Sequence, residues 1–159
     1  GVTGEGMHAR TPDRFLGKAA PLSKPRKRAD EPSMVCGPES CFAVWHEELA
    51  DGIWAALMQG EAEPLFAREF VPRAGRNPGI AMNLGGVMQV FWYERTKGLV
   101  TAKLHRDGVS PPSVVARMTA VDRPAPSVSA GLKPNEWYAA WTDFDGGTAE
   151  VFAVRVECK

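Results

Sequence analysis

The chain lacks several features that would point directly to a function class. It has no uninterrupted apolar run of about 18 residues, so we expect no transmembrane segment, and Gly1–Gly6 contain no apolar core of a signal peptide. It has only three cysteines, too few for a disulfide scaffold. A reducing intracellular or organellar compartment is therefore favoured. Secretion stays an alternative, because a processed N-terminus would leave no trace of its leader.

Charge is balanced overall but unevenly distributed. There are 19 basic and 19 acidic residues in the whole chain, whereas residues 1–30 hold seven basic and three acidic side chains. Four of the basic residues are Lys24, Arg26, Lys27 and Arg28, in a proline-containing stretch that we expect to be extended. Such a patch is typical of contacts with other protein subunits or with nucleic-acid phosphates. A solvated linker and a nuclear-localisation signal are the alternatives.

The domain organisation follows from where apolar patterning begins. Residues 1–34 carry scattered prolines and little apolar periodicity, which predicts an extended arm. Residues 35–159 are predicted to form a single β-rich α+β domain. Its first element is predicted to be a helix over residues 38–59, followed by a short helix over residues 64–70. The apolar side chains that define the first helix, at spacings of three and four, are Phe42, Trp45, Leu49, Ile53 and Leu57.

From Ile80 onward the pattern changes to strands. Residues 99–105 alternate between apolar and polar side chains, and Asp145-Gly146-Gly147 is a strong hairpin signal. We find no internal repeat. The predicted fold is α+β, with five to six antiparallel strands in a sheet or sandwich and the N-terminal helix packed on it. The predicted strands are Val87–Tyr93, Leu99–His105, Val114–Val121, Trp137–Phe144 and Thr148–Cys158, with a short edge strand at Ser127–Ser129.

One local pattern indicates an immunoglobulin-like topology. The string from Leu132 through Pro134 to Tyr138 resembles the turn into the penultimate strand of fibronectin type III-like domains. There the tyrosine hydroxyl bonds to the upstream backbone. The resemblance covers roughly 25 residues through the final hairpin, and the helix over 38–59 has no counterpart in that family.

Cys36 is the one candidate nucleophile. The segment Cys36-Gly37-Pro38 precedes the predicted helix, where backbone N–H groups lower a thiol pKa, and it resembles the start of bacteriocin-processing peptidases. That resemblance implies a histidine base, for which His105 is the candidate. The alternative is structural, with Cys36 and Cys41 as small apolar side chains at a helix cap. In an oxidising compartment a Cys36–Cys41 or Cys41–Cys158 disulfide is a further alternative.

Two tryptophans on one strand face form a candidate ligand surface. Trp137 and Trp141 are separated by an even number of residues, so they share one face of their predicted strand. Aromatic pairs of this kind stack on sugars, bases or partner helices. The alternative is that both belong to the core.

These observations favour a non-catalytic function. We predict a binding or structural subunit of a larger macromolecular assembly, whose basic arm contacts a partner protein or nucleic acid. No metal site and no cofactor are expected. The alternatives are a thiol-dependent hydrolase that uses Cys36, and a surface or secreted β-sandwich that binds a ligand through Trp137 and Trp141.

Overall fold

The fold is all-β. A computed structural model of the chain contains no helix in the part that it describes, so the predicted α+β class with its N-terminal helix is wrong. In that same part no helix is long and apolar enough to cross a membrane. The strands form three antiparallel sheets. The described residues are 22–23, 28–49, 52–59, 64–71, 75–105, 107–118, 125–145 and 147–158.

The first sheet contains the segment that we predicted to be helical. The strands follow one another in chain order, each pairing with the next. Residues 42–47 are buried without interruption, so both faces of their strand are covered and the alternation that marks a half-exposed strand is absent. Trp45 lies directly opposite Trp54 across a hairpin. The strands are β1 (Ala29–Cys36), β2 (Cys41–Glu47), β3 (Gly52–Met58) and β4 (Pro64–Val71).

The second and third sheets repeat this connectivity. In the second sheet, β8 and β9 both pair with β7, towards its two ends, and together occupy the position that β4 holds in the first sheet. The second sheet contains β5 (Gly75–Met82), β6 (Met88–Glu94), β7 (Gly98–His105), β8 (Gly108–Val109) and β9 (Ser113–Ala116). The third contains β10 (Ser127–Ala130), β11 (Glu136–Asp145) and β12 (Thr148–Glu157).

The second sheet lies between the other two and forms a core on each face. Val90 and Trp92 pack against the first sheet, whereas Phe91 and Tyr93 pack against the third. All four are at most 1% exposed. Burying a side chain of this size stabilises the fold by about 1.5–3 kcal/mol, so β6 contributes to two hydrophobic cores at once.

The three sheets share a sequence pattern that we did not detect from the sequence. A proline opens the regular part of each first strand, at Pro32, Pro78 and Pro126, and these prolines are 46 and 48 residues apart. The second strand of each sheet contains a Trp-x-acid motif, in which an acidic residue follows a tryptophan by two positions. The motif ends the strand in the first two sheets and lies within it in the third. The unequal spacing hides the period, so our expectation of no repeat was wrong. The motif residues are Trp45 with Glu47, Trp92 with Glu94, and Trp141 with Asp143.

The immunoglobulin-like topology is also wrong. Strands in all three sheets follow chain order, whereas immunoglobulin-like domains cross between two sheets in Greek keys. The Tyr138 hydroxyl donates to Glu136 Oε1 at 3.0 Å and not to an upstream backbone carbonyl.

Candidate functional site

The first strands of the three sheets, β1, β5 and β10, meet along one line. The backbone N–H of Ile80 on β5 donates to Ser33 Oγ on β1 at 3.2 Å. On its other side β5 approaches the start of β10 so closely that a Cβ on Gly79 would lie 2.6 Å from the carbonyl oxygen of Pro126. The sheets therefore spread outward from a common line of first strands.

The residue before each repeated proline lies at the beginning of that line. Glu31 and Asn77 adopt left-handed backbone conformations, with φ of 47° and 54°, and the pairing register shifts at both positions. Such a conformation costs a non-glycine residue on the order of 1 kcal/mol, and it tends to occur at ligand-binding and catalytic sites. Ala125 is the residue that precedes the third repeated proline, Pro126. We call Glu31, Asn77 and Ala125 the axial residues.

Glu31 connects the first sheet to the third. Its carboxylate accepts a hydrogen bond from the backbone N–H of Ala125, so two of the axial residues are in direct contact. Its Oε2 atom is buried and has no hydrogen-bond partner. Burial and the neighbouring charge of Asp30 raise the pKa of Glu31, whereas the charge of His46 and the bond from Ala125 oppose the rise. This carboxyl group is therefore easier to protonate than an ordinary glutamate.

Asp30 supplies a second carboxylate beside Glu31. Its Oδ1 lies 2.9 Å from His46 Nδ1. The histidine side chain is only 4% exposed, whereas that of Asp30 is 53% exposed. A buried imidazole thus orients a carboxylate that remains open to solvent.

The arrangement pairs one accessible carboxylate, that of Asp30, with a carboxyl group of raised pKa, that of Glu31. Carboxylates accept hydrogen bonds from hydroxyl groups, and a protonated carboxyl also donates one. A carboxyl with a raised pKa suits general-acid chemistry. Among the described residues no group of three or more His, Cys, Asp and Glu side chains could hold a metal ion.

Cys36 and His105, which we predicted as nucleophile and base, do not have the predicted arrangement. Cys36 forms a disulfide with Cys41 across the β1–β2 turn, so its sulfur is not a thiolate, and no helix follows it. His105 is exposed at the end of β7, opposite Gly108. Neither residue belongs to the axial set.

The two tryptophans predicted to bind a ligand face the second sheet. Trp137 is 0% exposed and belongs to the core between the second and third sheets. Trp141 packs against the same core and stacks on Phe152, with ring centroids 5.9 Å apart and planes 19° apart.

Most of the predicted basic patch precedes the described residue Arg28. Lys24, Arg26 and Lys27 lie outside the described residues. Arg28 is exposed and forms an ion pair with Glu48 at 3.3 Å. An exposed pair of this kind contributes at most about 1 kcal/mol.

The sequence interpretation missed Asp30, Glu31 and Asn77. The recurrence of a residue followed by proline at 46 and 48 residues could have indicated them. It would have placed Glu31 and Asn77 at equivalent points of neighbouring sheets.

Comparison with known proteins adds a likeness in fold. No protein-family model matches the chain, and no curated protein matches it. A solved structure titled "Glycoside hydrolase" superimposes with a TM-score of 0.51 at 15% sequence identity, covering 81% of this chain and 32% of that one. The chain thus spans about a third of the length of that enzyme, and at this identity the similarity concerns the fold alone.

Proposed function

We propose that the chain binds a saccharide at the axial residues, with Glu31 and Asp30 as the contacting side chains. The observation that carries the proposal is Glu31, a partly buried carboxyl with a raised pKa at the meeting point of two sheets. The structural neighbour titled "Glycoside hydrolase" supports a saccharide as the ligand class. This is a ligand-binding module, but its site differs from the tryptophan surface that the sequence suggested.

The two carboxyl groups have complementary roles in this proposal. Asp30, oriented by His46 at 2.9 Å, accepts hydrogen bonds from sugar hydroxyls. Glu31 donates one when protonated and accepts when ionised. Saccharides present many hydroxyl groups that act both as donors and as acceptors, so both carboxyl groups have partners to bind there.

Glycoside cleavage is the second candidate function, and the raised pKa of Glu31 favours it. Glycosidases use two carboxyl groups, one of which protonates the departing glycosidic oxygen. In this scheme Glu31 gives its proton to that oxygen as the bond to the anomeric carbon breaks. Asp30 takes a proton from the water that adds to the same carbon.

Isothermal titration against a panel of oligosaccharides tests the binding proposal. We expect Glu31→Gln to weaken binding at least tenfold, about 1.4 kcal/mol, because the amide has one acceptor oxygen instead of two and cannot carry the negative charge. Glu39→Gln is the matched control, since Glu39 is exposed in the turn at the far end of β1 and its loss should leave affinity unchanged. The proposal fails if no saccharide binds, or if Glu31→Gln binds as tightly as the unmodified chain.

Reducing-sugar release from the bound oligosaccharide tests the hydrolytic candidate separately. Release by the unmodified chain that both Asp30→Asn and Glu31→Gln abolish would support cleavage. Binding without release would leave the chain a binding module.

Contact between residues 24–28 and a protein or nucleic-acid partner in a larger assembly stays a prediction. Arg28, the described member of that patch, is exposed.

A further inference from the structure

The third sheet has one covered face and one open face. Trp137 and Ala139 turn towards the second sheet and are at most 1% exposed. Val151 lies on the other face and is 80% exposed. The open face is defined here by Ala140, Thr142, Val151 and Ala153, which alternate with the covered side chains along β11 and β12.

The third sheet also has an unoccupied edge among the described residues. In the first sheet β4 pairs with the third strand, and in the second sheet β8 and β9 do so. The third strand of the third sheet, β12, pairs with β11 and with no other strand in the part of the chain that the structure describes. Its edge runs for 10 residues, and long unpaired edges in natural proteins are normally covered.

The contacts between sheets follow a rule that predicts what covers this face. The repeated tryptophan always points to the preceding sheet: Trp92 packs against the first sheet and Trp141 against the second. The neighbours of Trp92, namely Phe91 and Tyr93, point to the following sheet. The corresponding neighbours of Trp141 form part of the open face, so that face is the one to which a following sheet would be joined.

We infer that the open face is the docking surface for a fourth sheet of the same repeat, and that the β12 edge pairs with a fourth strand of the third sheet, both carried by the same polypeptide. The fourth sheet presents its own Trp-x-acid strand to Ala140 and Val151. Because the first strands meet along one line, the sheets are successive blades of a propeller-like array. Repeats of this kind bury their apolar faces only by stacking on their neighbours.

A second copy of the chain is the less suitable occupant. It would have to offer the tryptophan face of its first sheet, but Trp45 is 4% exposed and Ala56 is 0% exposed. That face is already covered within each chain. The structural neighbour, of which this chain covers 32%, is long enough to hold further repeats.

Hydrogen exchange on this chain and on the product of the complete natural reading frame tests the inference. In the 159-residue chain we expect the β12 amides that do not bond to β11 to exchange at least about 100-fold faster than those of β6. In the longer product they should be as protected as those of β6. The reading frame should contain a tryptophan followed two residues later by an acid, about 48 residues beyond Trp141.

A pair of variants reports on the docking surface directly. Val151→Asp should lower the Tm of the longer product by about 4 °C or more, while shifting that of the 159-residue chain by less than about 2 °C. Val114→Asp, at a valine on β9 that is 48% exposed, is the matched control and should affect neither protein.

Three outcomes would overturn the inference. One is a reading frame that contains no further repeat. Another is that the β12 amides exchange as slowly as those of β6 in the 159-residue chain, whether the chain is a monomer or a dimer. Slow exchange in a dimer would assign the face to a second copy. The third is a longer product that tolerates Val151→Asp. None of these results bears on saccharide binding at Glu31, which is tested separately.

Discussion

Replacing Gly79 with alanine is expected to destabilise the chain, because β5 lies very close to the start of β10 at this residue. The new Cβ would lie 2.6 Å from the carbonyl oxygen of Pro126 and 3.2 Å from a methyl group of Val128. Ordinary contacts of a Cβ begin at 3.4 Å, so the strands must separate by about 0.8 Å. The obstacle is backbone, which cannot rotate away as a side chain can.

The magnitude follows from two opposing effects. Forcing an extra methyl group into a packed interior costs about 1–3 kcal/mol. Removing a glycine restricts the unfolded chain and returns about 0.4–1 kcal/mol. With the middle of each range, the net loss in the free energy of unfolding is about 1.3 kcal/mol, or about 3–5 °C in Tm for a chain of this size.

Urea unfolding followed by tryptophan fluorescence measures this loss. Gly85→Ala is the matched control: Gly85 lies in the exposed β5–β6 turn, where the nearest atom to a new Cβ is Asn83 Oδ1 at 3.4 Å. It should be neutral or slightly stabilising. If Gly79→Ala is as stable as Gly85→Ala, the first strands do not converge as described.

Three further predictions concern the site, the cysteines and the core. Because the fold raises the pKa of Glu31 above 4.5, the native state binds a proton at this residue more tightly than the unfolded chain does. The protonated carboxyl group therefore contributes stability below pH 4.5, and this stability is lost as the pH rises through the native pKa. Glu31→Gln should therefore raise the free energy of unfolding at pH 7 and have little effect below pH 4.5, as urea titrations at several pH values will show. If the variant and the unmodified chain differ by the same free energy of unfolding at every pH, the raised pKa is contradicted. Without reductant, iodoacetamide should label one cysteine per chain, Cys158, and after reduction it should also label Cys36, as peptide mass spectrometry will detect; labelling of Cys36 before reduction would exclude the disulfide. Phe91→Ala should cost about 3–5 kcal/mol, whereas the same change at Phe152, which is 36% exposed, should cost clearly less in the same unfolding assay, and equal losses would contradict the buried position of Phe91.

The sequence predicted those parts of the fold that local signals determine. The predicted strands Val87–Tyr93 and Leu99–His105 correspond to β6 and β7, and Gly98, at the start of β7, has a φ of 90°. The β11–β12 hairpin was expected from Asp145-Gly146-Gly147, and the two strands pair from Asp145 opposite Thr148 onward. Glycine at a left-handed position is a local requirement, so it can be recognised without knowledge of the rest of the chain.

The first sheet was missed because its burial depends on the other sheets. Spacings of three and four from Phe42 to Leu57 match a helix, but they arise from two buried strands joined by a turn. Gly52, which falls inside the predicted helix, begins β3, where a Cβ would lie 2.8 Å from the carbonyl oxygen of Val71. The predicted boundary between residues 34 and 35 falls within β1.

The site was missed because no short motif carries it. Glu31 and Asn77 are 46 residues apart, and only the convergence of the first strands relates them. The bond from Ala125 to Glu31 joins residues of the first and third repeats, a contact that no local pattern contains. Cys36, by contrast, lay in a recognisable short string but is held in a disulfide.

The most direct test of the proposed site is a carbon-13 NMR titration of the Glu31 carboxyl, with and without the oligosaccharide that binds best. We predict that the free chain gives a pKa above 4.5, and that saturation with the saccharide changes both the chemical shift and the pKa of this carboxyl. A pKa at or below 4.5 that does not respond to any saccharide would contradict the assignment of Glu31 as the central residue of the site.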